Sequence, residues 1–396
     1  MKKSLVALAA LSVLGNAFAD VDVSGGVKMY GTLDQGAVSQ SLVSADTGST
    51  ANYSGMFAAN ATSRIGFKGA RDLAEGMKGI FQVEIQLDPD TSTLLPTKNR
   101  TAFVGLQGNF GSIMGGTMET AAYEVFGMDV NGRIEYKPQV WRTTTSLDLQ
   151  DRANNSIKYI SPEVGGVTLH LQQSFNEIAD TATVVGSISN TYAQLSSWAI
   201  KYQKERLKAA FVHDETKNAL MGYKFAGLSN AGPSTTGTTN YMLYYGMTST
   251  SYSQLITTAS TTTVKRDIAS ASYDFGNFSV NYLYAKSYQT GTYAASNTTN
   301  TFGIKVPYEK FTFAYSYGRG SVDSTTSAQS SATGTSYTTS PSGRAGDGNI
   351  TDSTLGVYYN FDKSTSVYFL GSNSTSSVGV SDGSNKTFAL GARYNF

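Results

Sequence analysis

The side chains able to do chemistry are few and unevenly placed. The chain has two histidines, His170 and His213, and no cysteine, so thiolate and disulfide chemistry are absent and any His-dependent metal or Ser-His centre has only two candidates. No GxSxG, HExxH or P-loop spacing occurs, and no cofactor-binding spacing either. His170 alternates with Val167, Leu169 and Leu171 on a strand-like run, and His213 stands near the end of another. A lipase-type Ser-His centre at a rim is the catalytic alternative; lining or loop contact is the ordinary role of both. Charge gathers instead in residues 118–151, with Glu119, Glu124, Asp129, Arg133, Glu135, Lys137, Arg142, Asp148 and Asp151 around Trp141. Such a stretch is either an ordered loop packed on a wall or a solvated charged loop.

The elements that must position these groups follow a period of two. In the last ten residues Phe388, Leu390, Ala392, Tyr394 and Phe396 fall on one face, and Thr387, Ala389, Gly391, Arg393 and Asn395 on the other. One apolar, aromatic-ended face and one small or polar face suit a sheet that separates lipid from water. The pattern recurs at residues 21–34, 81–87, 167–172, 278–285, 311–317 and 355–361. Arg64, Gly66 and Lys68 share one parity against Ile65 and Phe67, and Arg152 shares parity with Ser156 and Lys158 against Ile157 and Tyr159. For Arg100 the parity is ambiguous, because residues 101–106 carry apolar side chains on both faces. An arginine facing lipid at mid-depth costs about 2–4 kcal/mol, so an inner face is the cheaper place.

Connections alternate in length. Short turns are expected at residues 108–111, 162–166, 203–206, 274–277, 307–310 and 362–364; long Ser/Thr/Gly/Asn stretches at 39–60, 176–190, 290–300, 318–351 and 371–386. Short turns on one rim and long loops on the other make a transmembrane antiparallel β-barrel, a parity that a soluble sandwich or propeller has no reason to keep. We expect an all-β barrel of 16 strands, or 18 if residues 219–225 and 241–248 form an extra hairpin. Closure leaves no unpaired backbone in hydrocarbon, where each orphan group costs several kcal/mol. A barrel this wide keeps an aqueous lumen.

Composition agrees. With 30 basic and 29 acidic residues the formal charge is +1 and no basic block occurs, so nucleic acid is not an expected partner. Lys2, Lys3, a short apolar core over residues 5–14 and Ala17-Phe18-Ala19 read as a secretory signal peptide spanning residues 1–19, with the barrel over 20–396. Removing two lysines and no acid takes the charge from +1 to −1. Beyond it no apolar run approaches the ~18 residues of a membrane helix.

Several stretches, in order along the chain, are Tyr30-Gly31-Thr32-Leu33-Asp34, Ser63-Arg64-Ile65-Gly66-Phe67-Lys68-Gly69, Arg100-Thr101-Ala102-Phe103-Val104-Gly105-Leu106, Asn155-Ser156-Ile157-Lys158-Tyr159-Ile160-Ser161-Pro162 and the closing Gly391-Ala392-Arg393-Tyr394-Asn395-Phe396. Together the sequence resembles the general-diffusion porin family of Gram-negative bacteria, in its beta-proteobacterial version; the match thins between residues 214 and 266. The resemblance implies an outer-membrane, homotrimeric, water-filled channel for small hydrophilic solutes, surrounded by lipid and lipopolysaccharide. A substrate-specific channel with a weak solute site, at which Trp141 is the candidate contact, and a plugged adhesive barrel are the alternatives.

It also implies roles. The third loop, residues 118–151, would fold into the lumen, its acids Glu124, Asp129 and Glu135 facing a basic wall of Arg64, Arg100, Arg152 and Lys158. Such an eyelet selects by charge without tight binding. Tyr394 and Phe396 would carry the signal read by the barrel-assembly machinery. Where the family commonly has Gly-Arg-Gln this chain has Gly115-Gly116-Thr117, which implies an eyelet that is wider or more cation-favouring.

Overall fold

The computed structural model describes residues 21–24, 26–44, 50–57, 61–87, 89, 99–128, 130, 152–175, 194–220, 261–290, 295–324, 348–378 and 381–396. In these residues the alternating segments become strands: β1 (Val21–Ser24), β2 (Val27–Ser44), β3 (Thr50–Phe57), β4 (Arg64–Asp72), β5 (Lys78–Gln86), β6 (Asn99–Gly108), β7 (Gly111–Glu119), β8 (Arg152–Ile160), β9 (Val167–Ser174), β10 (Gln194–Lys204), β11 (Leu207–Leu220), β12 (Thr261–Asp274), β13 (Ser279–Thr290), β14 (Ala295–Tyr308), β15 (Phe311–Ser324), β16 (Gly348–Asn360), β17 (Thr365–Val378) and β18 (Ser381–Asn395). A short helix, α1 (Ala121–Phe126), follows β7.

β2 pairs with β4, β4 through β18 pair in chain order, and β18 returns to β2, so 16 antiparallel strands close on themselves. The two remaining strands complete this ring. β3 and β4 lie end to end along one side of β2, at its residues 36–43 and 27–32. β1 pairs with Val27–Met29 of β2, on the side where β18 stops at Thr32. Of the proposed extra hairpin, residues 219–220 belong to β11; residues 221–260 lie outside the described residues.

All six expected short turns join consecutive strands on one rim, and the turn after β4 adds a seventh. The opposite rim differs from expectation. Residues 39–44, 50–57, 295–300, 318–324, 371–378 and 381–386 are strand, not loop, and only residues 379 and 380 separate β17 from β18. Most of these positions are Ser, Thr, Gly or Asn, with too few apolar side chains on either face for their alternation to show in hydropathy. Their cross-strand neighbours hold them, as where the Thr351 and Thr375 hydroxyls bond at 2.7 Å.

Faces sort by parity. On β18 Phe388 and Leu390 are 52% and 65% exposed whereas Ala389 is 3% exposed, and Val83, Ile113, Ile157, Leu169, Ile200, Phe313 and Phe369 line the same outer surface. At the seam the Gly31 N–H donates to the Phe396 carboxyl-terminal oxygen at 2.7 Å and the Phe396 N–H donates to the Gly31 carbonyl at 3.1 Å. Just above, buried Asp34 of β2 accepts from Tyr368 of β17 (2.7 Å) and Arg393 of β18 (3.2 Å), pinning three strands.

Candidate functional site

Among the described residues the inner wall carries several apolar patches, and one of them seats a helix. Inward positions of β10–β13 are apolar there: Ala199, Val212, Ile268, Leu283 and Ala285, all fully or almost fully buried. Against them lie Ala121, Ala122, Val125 and Phe126 of α1. The helix begins where the Thr120 side chain accepts the Tyr123 N–H (3.2 Å), and past its end the Val130 N–H donates to Asn281 Oδ1 of β13 (3.1 Å). Burial of Val125 and Phe126 contributes about 1.5–3 kcal/mol each.

The polar side of α1 carries Glu124, which meets three strands. Its carboxylate accepts from Lys158 Nζ of β8 (2.5 Å) and from Lys201 Nζ of β10, and His170 Nδ1 of β9 stands 3.9 Å away. Lys158 also donates to the Glu119 carbonyl at 2.9 Å. Burial alone would lift the Glu124 carboxyl, but the Lys158 and Lys201 ammoniums beside it, with His170, hold it well below the usual carboxylate range. A carboxyl depressed on folding stabilises fully above its ordinary value of 4.5 and loses that contribution as pH falls through the depressed value. A spin label on α1 should therefore report a docked helix from about pH 8 to about pH 5 and release only in stronger acid. A transition centred near neutrality would count against this latch.

A second cluster occupies β2–β6. Glu84 of β5 accepts from Arg100 Nε (2.5 Å) and from the Tyr30 hydroxyl (3.0 Å), with Arg64 Nε at 3.5 Å. Gln82 donates to the Tyr30 oxygen at 2.6 Å, and the Lys68 ammonium lies 5.0 Å from the centre of the Tyr30 ring. That ring lies across Gly66 on the paired strand, where any Cβ would come within 2.4 Å of it. Between the clusters Arg152 binds Glu119 at 2.8 Å and covers the Tyr123 ring at 5.3 Å. Arg64, Lys68, Glu84, Arg100, Glu119, Tyr123, Glu124 and Lys201 all line one cavity of about 1160 Å³ inside the barrel.

The structure brings Arg64, Arg100 and Glu124 to this cavity wall, with Arg152 and Lys158 held behind it on Glu119 and Glu124, by routes that sequence parity only partly anticipates. Arg100 reaches the inside through a β-bulge: the pairing slips between Glu84 and Ile85, and both Arg100 and Thr101 are buried. A second slip lies between Gly116 and Met118, opposite Ala153 to Ser156, so alternation does not run unbroken from Arg152 to Lys158. Glu124 touches the basic wall at Lys158 rather than facing it across open lumen. Asp129, Glu135 and Trp141 lie outside the described residues. Sequence reasoning missed Glu84 and Lys201; both sit at inward parity on their strands, and that was the signal available. His213 is also corrected. It lies within β11 on the outer face, 2.7 Å from Asp267 and beside Trp198, neither in the lumen nor at a strand end.

Comparison with known proteins places this geometry. The family model described as Gram-negative porin matches residues 4–377. The major outer membrane protein P.IB of Neisseria meningitidis serogroup B is 31% identical over 180 residues, 45% of this chain and 51% of the relative. The chain thus spans about half the length of the first curated relatives it matches. P.IB of Neisseria gonorrhoeae is 26% identical over 350 residues, covering 79% of this chain and 90% of that protein. Among solved structures, an anion-selective porin from Comamonas acidovorans superposes with a TM-score of 0.65 at 18% identity, over 93% of this chain and 99% of the other, a likeness of fold.

Proposed function

The chain belongs to the Gram-negative porin family, and from that premise we propose that it is an outer-membrane channel through which small hydrophilic solutes and ions diffuse passively. The observation that carries this reading is a closed barrel, apolar outside, whose charged inner wall surrounds a cavity of about 1160 Å³. The two histidines stand on opposite faces of the wall, which supports a channel rather than a two-histidine catalytic centre. Residues 1–19 act as an export signal and are removed, Tyr394 and Phe396 of the closing strand are read by the assembly machinery, and three copies associate in the lipid and lipopolysaccharide of the outer membrane.

The narrowest part lies beside α1. Arg64, Arg100, Arg152 and Lys158 form its basic wall, joined by Lys68 and Lys201, and Glu124, Asp129 and Glu135 are its loop acids. Among the described residues of the two ion clusters and the Arg152–Glu119 pair between them, six cations, Arg64, Lys68, Arg100, Arg152, Lys158 and Lys201, stand against three acids, Glu84, Glu119 and Glu124. The surplus favours anions, as in the anion-selective relative and opposite to the preference read from Gly115-Gly116-Thr117. The test is the reversal potential in a planar bilayer under a salt gradient. Wild type should prefer anions, Arg64→Gln with Arg100→Gln should move the potential toward cations, and neutralising Asp129 and Glu135 should move it toward anions. No movement from either pair would sink the eyelet assignment.

A further inference from the structure

On the outside of the barrel, the apolar band of β11–β13 ends abruptly in charge. Going up β11 toward the long-connection rim, outward Leu207 and Phe211 give way to His213, Glu215 and Lys217; on β12, Tyr273 and Ala269 give way to Asp267 and Lys265; on β13, Tyr282 and Tyr284 give way to Lys286. The intervening Val212, Asp214, Thr216, Val264, Arg266, Ile268, Leu283, Ala285 and Ser287 are buried, which fixes the charged set on the outer face. Register joins the set: His213 pairs with Asp267 and Asp267 with Lys286, and Glu215 pairs with Lys265. Glu215 holds Lys217 at 3.5 Å and Lys265 at 3.3 Å, and Asp267 holds His213 at 2.7 Å. Continued along the barrel, the row through Lys286 carries the uncharged Thr298, Ser321, Asn349 and Ser377 before it reaches Asp382 of β18. Among the described residues outward charge is concentrated on these three strands, with Arg319 of β15 and Lys386 of β18 standing apart from it.

We propose that this face binds the phosphate groups of a glycolipid headgroup through Lys217, Lys265 and Lys286, with the lipid chains running down over Phe211, Ala269 and Tyr284. The inference rests on the membrane-channel reading, because only there does the upper end of the apolar band meet a headgroup layer. Three ammoniums face two carboxylates, and Glu215 already orders two of the three. An arriving phosphate therefore meets positioned donors and pays little to immobilise them. Trp198, packed on His213 (5.8 Å) and Phe211 (5.5 Å), marks the boundary between apolar and polar zones, where amphipathic aromatic rings settle. Among the described residues no other sector of this rim brings three outward lysines together.

The experiment uses the full barrel folded in non-ionic detergent, titrated with a bis-phosphorylated glucosamine lipid and with its dephosphorylated analogue. Folding of each variant is checked by its heat-modifiable gel mobility. With three lysines contributing, the phosphorylated lipid should bind wild type about 150-fold tighter than the analogue. Lys265→Gln combined with Lys286→Gln should abolish most of that difference, while Lys386→Gln, outward on β18, should preserve it. Equal affinity for both lipids, or equal weakening by Lys386→Gln, overturns the proposal. So does a double variant that binds lipid normally and instead loses its oligomeric state, which would make this face a subunit contact. Single-channel conductance of the same preparations reads the channel function separately, and the double variant should leave it unchanged.

Discussion

Replacing Glu124 with Gln should loosen α1 from the inner wall, visible as flickering single-channel current with a raised mean conductance. The substitution leaves Lys158 and Lys201 without their carboxylate in a largely buried setting, where breaking a pair costs about 3–5 kcal/mol. Opposing that loss, Val125 and Phe126 retain their burial at about 1.5–3 kcal/mol each. The two terms nearly balance, so the helix should exchange between docked and free states rather than leave outright. Adding Phe126→Ala, worth about 3–5 kcal/mol, should tip it fully away and give a steady, larger conductance. Reversal potential separates two effects of Glu124→Gln: loss of one negative charge shifts it toward anions even in a docked channel, whereas flicker requires release. Quiet traces from both variants would refute the latch.

Gly31→Val should prevent the barrel from closing. Any Cβ at Gly31 would come within 2.3 Å of the Phe396 ring and 2.7 Å of the Arg64 carbonyl oxygen. Relief requires the seam to part, which breaks both backbone bonds between Gly31 and Phe396. Orphaned backbone groups facing hydrocarbon cost several kcal/mol each, a large share of the roughly 5–15 kcal/mol by which a protein is stable. The expected result is loss of the folded, heat-modifiable band and of channel activity. Gly115→Ala is the matched control, since nothing lies within 4 Å of a Cβ built there. A folded Gly31→Val protein with normal conductance would show that the last residue is dispensable for closure.

How far the molecule was legible in advance depends on what each residue's position rests upon. Outer-face residues such as Phe388 and Leu390 were readable because lipid imposes one chemical demand along a whole strand. Arg64 followed from the same rule. Arg100 did not, because its inward aim comes from a bulge against β5, and a bulge breaks the parity on which the reading relied. Glu84 and Lys201 escaped notice for a different reason. Each looks like one more polar residue on an inner face until Arg100 or Glu124 is placed beside it. The seat of α1 had a faint trace in the doubly apolar run around Leu283 and Ala285, but its meaning required knowing that β10–β13 are neighbours and that the helix descends onto them.

The amino-acid order by itself determined the strand periodicity, the inside and outside of most strands, the short-turn rim and, through family resemblance, an outer-membrane channel. These are properties of one strand in one solvent boundary, written every second residue. Tertiary structure decided the height of the wall above the apolar band, the register slips that turn Arg100 inward, the grip of Lys158 and Lys201 on Glu124, and the outward place of His213. Each of those depends on which strand lies alongside and in what register, and pairing between distant segments leaves no local period to read.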